Sequence, residues 1–364
     1  MTEIAVIGGG LLGSAIGYGL ARAGCQVTVL DEGDSAFRAA RGNFGLVWVQ
    51  GKGASSPPYA AWTRRSAALW PDFASELAER TRIDLQLAQP GGIEICLSEA
   101  EFEERRAKME ALAAQSTGFV FEMLGRNALA REMPGIGPDV VGGSWSPHDG
   151  HCDPLRLLRA LQAGLRAHGG ALCTEAGVSA IRREGAGYRL QGPDLHAERV
   201  VLAAGLGNAA LAPQIGLAQT VRPVKGQILV TERLAPVLDR PTTHIRQTGD
   251  GTVMLGDSKE EVGFDVSSTA PVLAQIADRA RRTFPALAQA RIVRSWGALR
   301  VMTPDGLPIY DASASHPGCY AVACHSGVTL AAAHALDFAK AVAAGALPRE
   351  LAPLSGERFD VQAA

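Results

Sequence analysis

Three glycines near the start of the chain are the residues best suited to hold a charged ligand. Gly8, Gly10 and Gly13 follow a short apolar run and lead into an apolar helical pattern. In such a unit the first glycine permits a tight turn, the second lets the backbone approach a pyrophosphate, and the third lets the helix pack on the sheet. The amide groups that follow, including those of Leu11 and Leu12, face the phosphates at the positive end of the helix dipole. The spacing predicts a dinucleotide site.

The residues around this motif have the pattern of a βαβ unit. A helix is predicted over residues 14–23, Gly24 ends it, and residues 26–30 form a second strand that runs into Asp31 and Glu32. An acid at this position accepts hydrogen bonds from the ribose hydroxyls of an adenine dinucleotide and repels a 2′-phosphate. Asp31 is the expected ribose ligand, with Glu32 as the alternative, and NADP is disfavoured. The competing interpretation is a glycine-rich helix start beside an incidental surface acid.

Composition narrows the classes of function. The chain has 364 residues, of which 47% are hydrophobic, and a formal net charge of -2. This is enough for a globular protein of two domains. No basic stripe suits a nucleic acid, and no apolar stretch reaches the length of a membrane span. Because the N-terminus is itself the first predicted strand, no room is left for a signal peptide, and a cytoplasmic location is expected.

The six cysteines do not suggest a metal site. None lies in a C-x-x-C pair, so neither zinc nor an iron–sulfur cluster has ligands at a usable spacing. Cys324 lies beside His325 in a glycine-containing turn. It is either a small apolar residue packed near a cofactor, which is favoured, or a reactive thiol.

The first half of the chain alternates loops, helices and strands. The polar, glycine-punctuated residues 41–45 are predicted to be a loop that enters a strand over residues 46–49. Amphipathic helices are predicted over residues 59–82 and 98–115, with a strand over residues 91–97 between them.

A further helix start is predicted at Asp153 and Pro154, as the N-cap and the first helical residue, and this helix is expected to end near His168. Short strands are predicted over residues 177–183 and 188–190. Residues 198–205 then form a buried strand that ends in small residues, which let the chain lie close to a cofactor. Because this strand is far from the glycine motif, the cofactor domain is expected to be discontinuous.

In six places, in the right order, the chain resembles the D-amino acid oxidase family of FAD-dependent amine oxidoreductases, which includes glycine oxidase and monomeric sarcosine oxidase. The resemblance covers nearly the whole chain. It is carried by the glycine motif with Asp31, the stretch before the helix at Pro154, the strand over residues 198–205, the strand opening at Val224 to Gln227, the hairpin at Gly251 to Gly256, and most specifically Trp296 to Pro308.

The resemblance implies an α/β fold, with a discontinuous Rossmann-like FAD-binding domain and a second α+β substrate domain of mixed sheet and helices. We expect the FAD domain to comprise residues 1–50, 140–220 and 300–364, and the substrate domain residues 51–139 and 221–299. Strands of the substrate domain are expected around Ile93, Ile228, Val253 and Ile292. The flavin ring should lie between the domains, where ligand sites usually form.

The resemblance also implies which residues meet the substrate. Arg300 matches the arginine that binds the substrate carboxylate, and its planar charged fork suits a bidentate contact. A structural ion pair is the alternative for this arginine. His244 falls where glycine oxidase carries a substrate-facing tyrosine, although a surface or hairpin histidine is equally compatible with the sequence. Arg246, two residues on, is expected on the same side of a strand and is a second candidate.

Further residues match the family's flavin-binding segments. His325, which is also a candidate for the reaction, opens a turn and helix start that approach the flavin ring, where amide groups stabilise negative charge on the reduced flavin. Sarcosine oxidases tether the flavin through a cysteine, but the corresponding stretch here is Ile309 to Asp311, so FAD is expected to be non-covalent. The remaining matched positions are Arg41, Asn43, Phe44, Gly45, Leu46, Val178, Ala204, Gly205, Gly297, Gly327, Val328, Thr329 and Leu330.

The activity that this resemblance implies is oxidation of the C–N bond of a small amino or imino acid, by hydride transfer from Cα to the flavin N5, giving an imine. No general base is assigned. Residues 42–50 look more like the β subunits of D-hydroxyproline and opine dehydrogenases than like glycine oxidase. A dehydrogenase with an electron-accepting partner subunit, in a homo- or hetero-oligomer, is therefore favoured.

Three other functions stay open at this point. The first is an oxygen-using oxidase of glycine, sarcosine or iminodiacetate. The second is a flavin-binding subunit that relays electrons without a substrate of its own, which would not need a carboxylate anchor such as Arg300. The third is a nicotinamide-dependent dehydrogenase, which would require a second G-x-G-x-x-G motif that the sequence lacks.

Overall fold

The structure is a computed structural model that describes residues 2–33 and 39–363. The expected ranges 1–50 and 300–364 therefore include Met1, residues 34–38 and Ala364, which lie outside the described residues. The strands are β1 Glu3–Ile7, β2 Gln26–Leu30, β3 Leu46–Val47, β4 Gly92–Cys96, β5 Glu122–Gly125, β6 Gly142–Ser146, β7 Gly150–His151, β8 Ala171–Cys173, β9 Ala180–Glu184, β10 Gly187–Gln191, β11 Leu195–Ala197, β12 Arg199–Leu202, β13 Arg222–Arg233, β14 Ile245–Gln247, β15 Thr252–Leu255, β16 Ile292–Met302, β17 Ile309–Ala312 and β18 Cys319–Ala323. The helices are α1 Leu11–Arg22, α2 Pro57–Thr81, α3 Glu99–Gln115, α4 Arg126–Glu132, α5 Pro154–Ala167, α6 Asn208–Leu211, α7 Ala270–Thr283, α8 Ala331–Ala333 and α9 Ala339–Ala343.

A six-stranded sheet in the order β17-β18-β12-β1-β2-β8 forms the nucleotide-binding side of the molecule. Its pairings are parallel except for the β17–β18 hairpin. Strand β12 is buried on both faces, since Val201 packs in a core with α1 and Val200 and Leu202 pack in a core with strands β9 to β11. Since the six strands come from distant parts of the sequence, the expected α/β class and discontinuous Rossmann-like sheet are observed.

Helix α1 lies against this sheet and is buried from Leu11 to Ala21. It begins three residues earlier than predicted, because Gly10 takes the extended N-cap conformation directly after the turn. Helix α1 packs closely on the helical segment between α8 and α9. A Cβ on Gly19 would lie 1.9 Å from the Ala335 carbonyl oxygen. Glycine is therefore required where these two backbones approach each other.

The second part of the molecule contains two antiparallel sheets, in the orders β14-β15-β13-β16 and β4-β6-β5. The expected strands around Ile228, Val253 and Ile292 share the first sheet, but the strand of Ile93 belongs to the second. A parallel bridge links Ile93 to Thr242, in the segment that precedes β14, whereas the strand pairs within both sheets are antiparallel.

Several element boundaries differ from the sequence predictions for physical reasons. The predicted strand over residues 46–49 is only the two-residue β3, because the amide groups of Trp48 and Val49 donate to side chains, those of Thr329 and Asp149. The strand predicted from residue 177 begins at Ala180. The helix start at Asp153 is confirmed, since the Asp153 carboxylate accepts from the amide groups of Leu155 and Arg156.

Strand pairing and core packing also bear on the expected division into domains, which stays a prediction. Strand β6 pairs with β4 and β5, so it lies with the 51–139 segment rather than with the parallel sheet. Helix α2, in contrast, contributes Trp70 and Leu77 to a core shared with α1. None of the helices in the described part of the chain combines the length and apolar character needed to span a bilayer.

Replacing Gly19 by alanine tests the close packing of α1. Alanine is the better helix former by about 1 kcal/mol, but overpacking in a core costs about 1–3 kcal/mol. Because the added Cβ meets a carbonyl oxygen that cannot rotate away, we expect the Gly19→Ala variant to have a lower melting temperature in differential scanning fluorimetry. Gly125→Ala, where an added Cβ meets no atom of the described residues within 4 Å, is the control and should change the melting temperature little. An unchanged Gly19→Ala would contradict the packing argument.

Candidate active site

The start of α1 is built to face an anion. The first intrahelical bond runs from the Ser14 amide to the Gly10 carbonyl, at 2.8 Å, so the amide groups of Leu11, Leu12 and Gly13 point out of the helix start. Gly8 holds the preceding turn at φ +110°, a conformation that only glycine adopts readily.

The glycines of this motif differ in what surrounds them, which tests whether a dinucleotide fits. A Cβ on Gly13 would lie 1.9 Å from the Gly8 carbonyl oxygen, and one on Gly8 would lie 2.4 Å from the Ala203 carbonyl oxygen. Glycine is therefore required at these two positions by the packing of the protein's own backbone. Among residues 2–33 and 39–363, a Cβ on Gly10 would meet only the Ala40 Cβ, at 3.7 Å. The space beside Gly10 is therefore available to a ligand, as close approach of a pyrophosphate requires.

Asp31 is held firmly at the end of β2. Its Oδ2 accepts from the Gly9 amide at 2.7 Å, and its Oδ1 accepts from the Gly33 amide at 3.0 Å. Each carboxylate oxygen can accept a further hydrogen bond, so the geometry remains compatible with a ribose contact. Glu32 follows and lies close to Gly177, where an added Cβ would be 3.3 Å from the Glu32 Cβ.

Two further candidate segments border this nucleotide end. Val178 follows Gly177 and packs against the core that contains β12. Ala204 and Gly205 continue from β12 and lie beside Gly8, whose added Cβ would be 2.8 Å from the Ala204 Cα. The structure therefore brings the glycine motif, Asp31, Glu32 and these segments together at one edge of the sheet.

The loop over residues 41–45 connects the nucleotide side to the antiparallel sheet. The Asn43 side chain accepts from the Gly45 amide at 2.8 Å, which closes the turn. The Gly42 carbonyl accepts from the indole of Trp296, and the Phe44 carbonyl accepts from the guanidinium of Arg246. Arg41 lies exposed in the preceding turn.

The late segment His325 to Leu330 lies against both the loop and the start of α1. Thr329 Oγ1 donates to the Leu46 carbonyl and accepts from the Trp48 amide, both at 3.1 Å. Gly327 faces Leu11, whose Cβ would be 3.7 Å from an added Cβ, and Val328 and Leu330 are buried. Most of the predicted flavin-binding residues thus converge on one place.

The Cα of Gly297 faces residues 266–267 and not the cluster of predicted flavin-binding residues. A Cβ there would lie 2.8 Å from the Val266 carbonyl oxygen, so residues 266–267 cover it. Its assignment to the cofactor stays a prediction about its backbone.

Arg300 projects from β16 and is one quarter exposed. Its guanidinium pairs with the Asp257 carboxylate and donates to the carbonyls of Ser258, at 2.9 Å, and Lys225, at 3.3 Å. It lies flat on Gly226, where any Cβ would come within 2.6 Å of it. The ion pair that the sequence left as an alternative is present, and it orients the guanidinium.

His325 and Lys52 lie close to Arg300. The Lys52 Nζ is 3.0 Å from the His325 Nε2. Burial lowers the pKa of His325 well below its ordinary value, and the positive charges of Lys52 and Arg300 lower it further. Burial, with Lys259 and Arg300, lowers the pKa of Lys52 to about 8. Near neutral pH a neutral imidazole therefore accepts a hydrogen bond from a lysine ammonium.

His244 and Arg246 have different partners. The His244 Nδ1 lies 3.7 Å from the Asp257 carboxylate, and burial is the main cause that lowers the pKa of this histidine. His244 is therefore linked to the acid that pairs with Arg300. Arg246 is 3% exposed, donates to the Met254 sulfur at 2.9 Å and lies 5.8 Å from the centre of the Phe44 ring. Its contacts fasten the loop to the antiparallel sheet.

Cys324 packs among apolar residues, and burial raises the pKa of its thiol to about 12. A thiol in this state is a poor nucleophile at neutral pH, which supports the packing interpretation over a reactive cysteine.

The sequence analysis missed Lys52, Asp257, Lys259 and Asp149. Lys52 carried a usable signal, since a lone lysine between Gly51 and Gly53 directly follows an apolar stretch. Asp149 is fully buried and accepts from the amide groups of Val49 and Gln50, and burial raises its pKa to about 7. It therefore orders the chain that leads to Lys52.

The parallel sheet with its glycine motif is the fold of a dinucleotide-binding protein, and the second, antiparallel sheet carries Arg300. The match of residues 3–341 to the family described as DAO: FAD dependent oxidoreductase agrees. The chain belongs to this family, with FAD as its cofactor, and the resemblance seen in the sequence is confirmed.

Individual relatives narrow the comparison. The chain is 44% identical to an opine oxidase subunit of Agrobacterium tumefaciens (strain Ach5), over 100% of this chain and 99% of that protein. It is 29% identical to glycine oxidase of Geobacillus kaustophilus (strain HTA426), over 97% and 96% of the two chains. The crystal structure of glycine oxidase from Geobacillus kaustophilus superposes with a TM-score of 0.90 at 27% identity, covering 98% of each chain.

Gly10→Ala tests the cofactor site without disturbing the protein's own packing. Its methyl group enters the open space beside α1, so we expect FAD affinity to fall while the cofactor-free protein keeps its melting temperature within a few degrees. FAD titrated into cofactor-free protein measures this. Gly13→Ala, whose methyl group meets the Gly8 carbonyl, should lose stability as well. Unchanged FAD affinity in Gly10→Ala would contradict this placement of the pyrophosphate.

Asp149 predicts a pH dependence of stability. Its folded pKa of about 7 lies above the ordinary carboxyl value, so the folded state retains a proton that the unfolded chain releases. The stability that this retained proton gives the folded state is fully present below pH ~4 and is lost as the pH rises from ~4 to ~7. We expect Asp149→Asn to gain melting temperature relative to the natural protein across that range. A difference that does not change with pH would show that Asp149 titrates normally.

Proposed function

We propose that this chain catalyses FAD-dependent oxidation of the C–N bond of a small amino or imino acid, of D-hydroxyproline, opine or glycine type. The observation that carries the proposal is Arg300. Its guanidinium is oriented on Gly226, partly exposed, and close enough to His325 and Lys52 to change their pKa values. Arg300 is proposed to bind the substrate carboxylate, and the pair with Asp257 keeps its fork in place before binding.

The charges around Arg300 also suit an amine substrate. Lys52 and Lys259 add positive charge to the same neighbourhood, while His325 is neutral. A cationic surrounding disfavours an ammonium group and so favours the neutral amine that must lose a hydride. The protein's contribution is to hold the carboxylate and orient Cα, and bound FAD supplies the hydride acceptor. No positioned general base is needed.

A dehydrogenase that delivers electrons to a partner subunit is the favoured form. The relative with 44% identity is named as one subunit of an opine oxidase, which supports a multi-subunit assembly for this chain too. We propose that FAD is bound non-covalently, since burial raises the pKa of the Cys319 thiol and of the half-buried Cys324 thiol to about 12.

The second candidate is an oxygen-using oxidase of glycine, sarcosine or iminodiacetate. The similarity to glycine oxidase in sequence and fold supports it. The third candidate is an electron-relay subunit without its own substrate. Arg300 argues against this candidate, because a relay needs no group that binds a substrate carboxylate.

A substrate panel on purified holoenzyme separates these functions. Glycine, sarcosine, iminodiacetate, D-proline, D-hydroxyproline and an opine are tested in parallel for oxygen consumption and for reduction of an artificial dye. Dye reduction without oxygen use is the expected result, whereas hydrogen peroxide would make the chain a stand-alone oxidase. Flavin that none of these compounds reduces would overturn amine oxidation.

Arg300→Lys tests the carboxylate anchor. Lysine keeps the charge but loses the planar fork, so we expect kcat/KM for the best substrate to fall roughly 10²-fold while flavin content stays unchanged. Arg294→Lys, an exposed arginine on the same strand, is the matched control and should keep full activity. Full turnover in Arg300→Lys would show that Arg300 does not bind the substrate carboxylate.

A further inference from the structure

We propose that Asp257 and His244 are positioning residues that make room for the substrate carboxylate on Arg300. When that carboxylate binds, Asp257 leaves Arg300 and pairs with His244, which takes up a proton from solvent. This inference rests on the proposed function, because it takes Arg300 to be the carboxylate anchor. It adds that a carboxylate ligand enters the site together with a proton.

The donors of Arg300 are largely taken before a substrate arrives. A guanidinium has five N–H groups, and three of them are directed at the Ser258 carbonyl, the Lys225 carbonyl and the Asp257 carboxylate. The two carbonyls belong to the backbone and carry no net charge. The Asp257 carboxylate has the same charge and the same shape as the carboxylate of a substrate. It is therefore the group that competes with the substrate for Arg300.

His244 lies beside the same carboxylate. The Gly256 amide donates to the His244 carbonyl at 2.9 Å, which fixes the backbone of His244 next to the residue that precedes Asp257. The His244 Nδ1 lies 3.7 Å from Asp257 Oδ1, whereas Asp257 Oδ2 contacts Arg300. Because 3.7 Å is too long for a hydrogen bond, this second pair is not yet formed. A small rotation of the carboxylate exchanges one partner for the other.

The Nδ1 atom of His244 lacks a partner while Asp257 is on Arg300. This atom is buried, and within residues 2–33 and 39–363 it makes no hydrogen bond. Buried polar atoms are rarely left unpaired in proteins. Burial lowers the pKa of His244 and the charge of Arg279 lowers it further, so the ring is neutral near neutral pH. A hydrogen bond to the Asp257 carboxylate satisfies Nδ1 and favours the protonated ring.

The other charged groups that face His244 are paired with one another. Glu94, on β4, lies 2.9 Å from the guanidinium of Arg105. Glu101, on α3, lies 3.0 Å from the guanidinium of Arg279, on α7. Among the described residues, the acid shared with the substrate anchor is therefore the one that is available to a protonated His244.

The exchange keeps the net charge of these groups constant. Before binding, Arg300 is paired with Asp257 and His244 is neutral. After binding, Arg300 is paired with the substrate carboxylate and the protonated His244 is paired with Asp257. One negative ligand charge and one proton have entered together. Since unpaired charges away from water are costly, binding with a proton is favoured over binding two carboxylates to one guanidinium.

Acetate is the probe for this exchange, because it has the carboxylate of a substrate but no amine that titrates or is oxidised. It stays ionised above pH ~6. The dissociation constant is measured on oxidised holoenzyme from the change in flavin absorbance. If one proton enters with acetate, the constant rises by about 10-fold between pH 6 and pH 8. An indicator dye in weakly buffered solution should show uptake of a proton by the natural protein when acetate is added.

Two variants test the two residues separately. His244→Asn removes the proton-binding group, so most of the pH dependence should be lost and the constant should stay near that of the natural protein at pH 8. Lys52, whose pKa is about 8, titrates in both proteins, so the difference between them belongs to His244. His196→Asn, on β11, is the matched control and should keep the full pH dependence.

Asp257→Asn removes the competing charge and keeps the shape of the side chain. Acetate should therefore bind this variant several-fold more tightly at pH 8 than it binds the natural protein. If Asp257 did no more than orient Arg300, the same variant would bind acetate more weakly, and that result would overturn the exchange. The natural protein tests the exchange even if neither variant folds, since acetate binding with no pH dependence and no proton uptake also contradicts it.

Failure of the proposed function is a separate result, in which no compound of the substrate panel reduces the flavin of the natural protein. Protein that oxidises a compound of the panel but binds acetate without a proton keeps amine oxidation and loses the exchange. Protein that binds no acetate at any pH contradicts the exchange as well.

Discussion

The side chain and carbonyl of Thr329 hold the candidate site together. The Thr329 hydroxyl bonds to Leu46 and Trp48, and its carbonyl accepts from Ser66 and Trp70 of α2. Buried backbone groups must find partners, and these four bonds satisfy groups from three distant parts of the chain at one residue. These bonds therefore fix the positions of three segments relative to one another: the turn that carries His325, strand β3, which leads to Lys52, and helix α2.

A second constraint comes from the antiparallel sheet. Lys225 is 1% exposed and binds Asp265 and Glu260 of the segment that crosses β13. That segment also carries Asp257 and Lys259, the acid that orients Arg300 and the lysine beside it. Lys225 thus positions charged groups of the site without belonging to it, because the cost of leaving its ammonium unpaired in the interior holds the segment down. The site lies where this segment meets the turn held by Thr329.

Much of the fold was predictable because it depends on local rules. The glycine motif, the N-cap at Asp153 and the buried strand that ends near Ala204 each combine residue type with spacing, and each was found as expected. The prediction was wrong where tertiary contacts override local pattern. Apolar residues 46–49 have the pattern of a strand, yet side chains 100 or more residues away take the amide groups of Trp48 and Val49. The strand of Ile93 pairs with β6 rather than with the sheet of Ile228.

The sequence by itself indicated the class of protein. A dinucleotide motif and an acid after the second strand are readable as residue types at fixed spacing, and the stretch around Arg300 adds the resemblance to the family. Only the tertiary structure decided what surrounds Arg300. Whether Lys52 and Lys259 act on each other depends on the distance between segments more than 200 residues apart in the chain. Charge interactions fall with distance in space and are strengthened by burial, and neither quantity can be read from the order of residues.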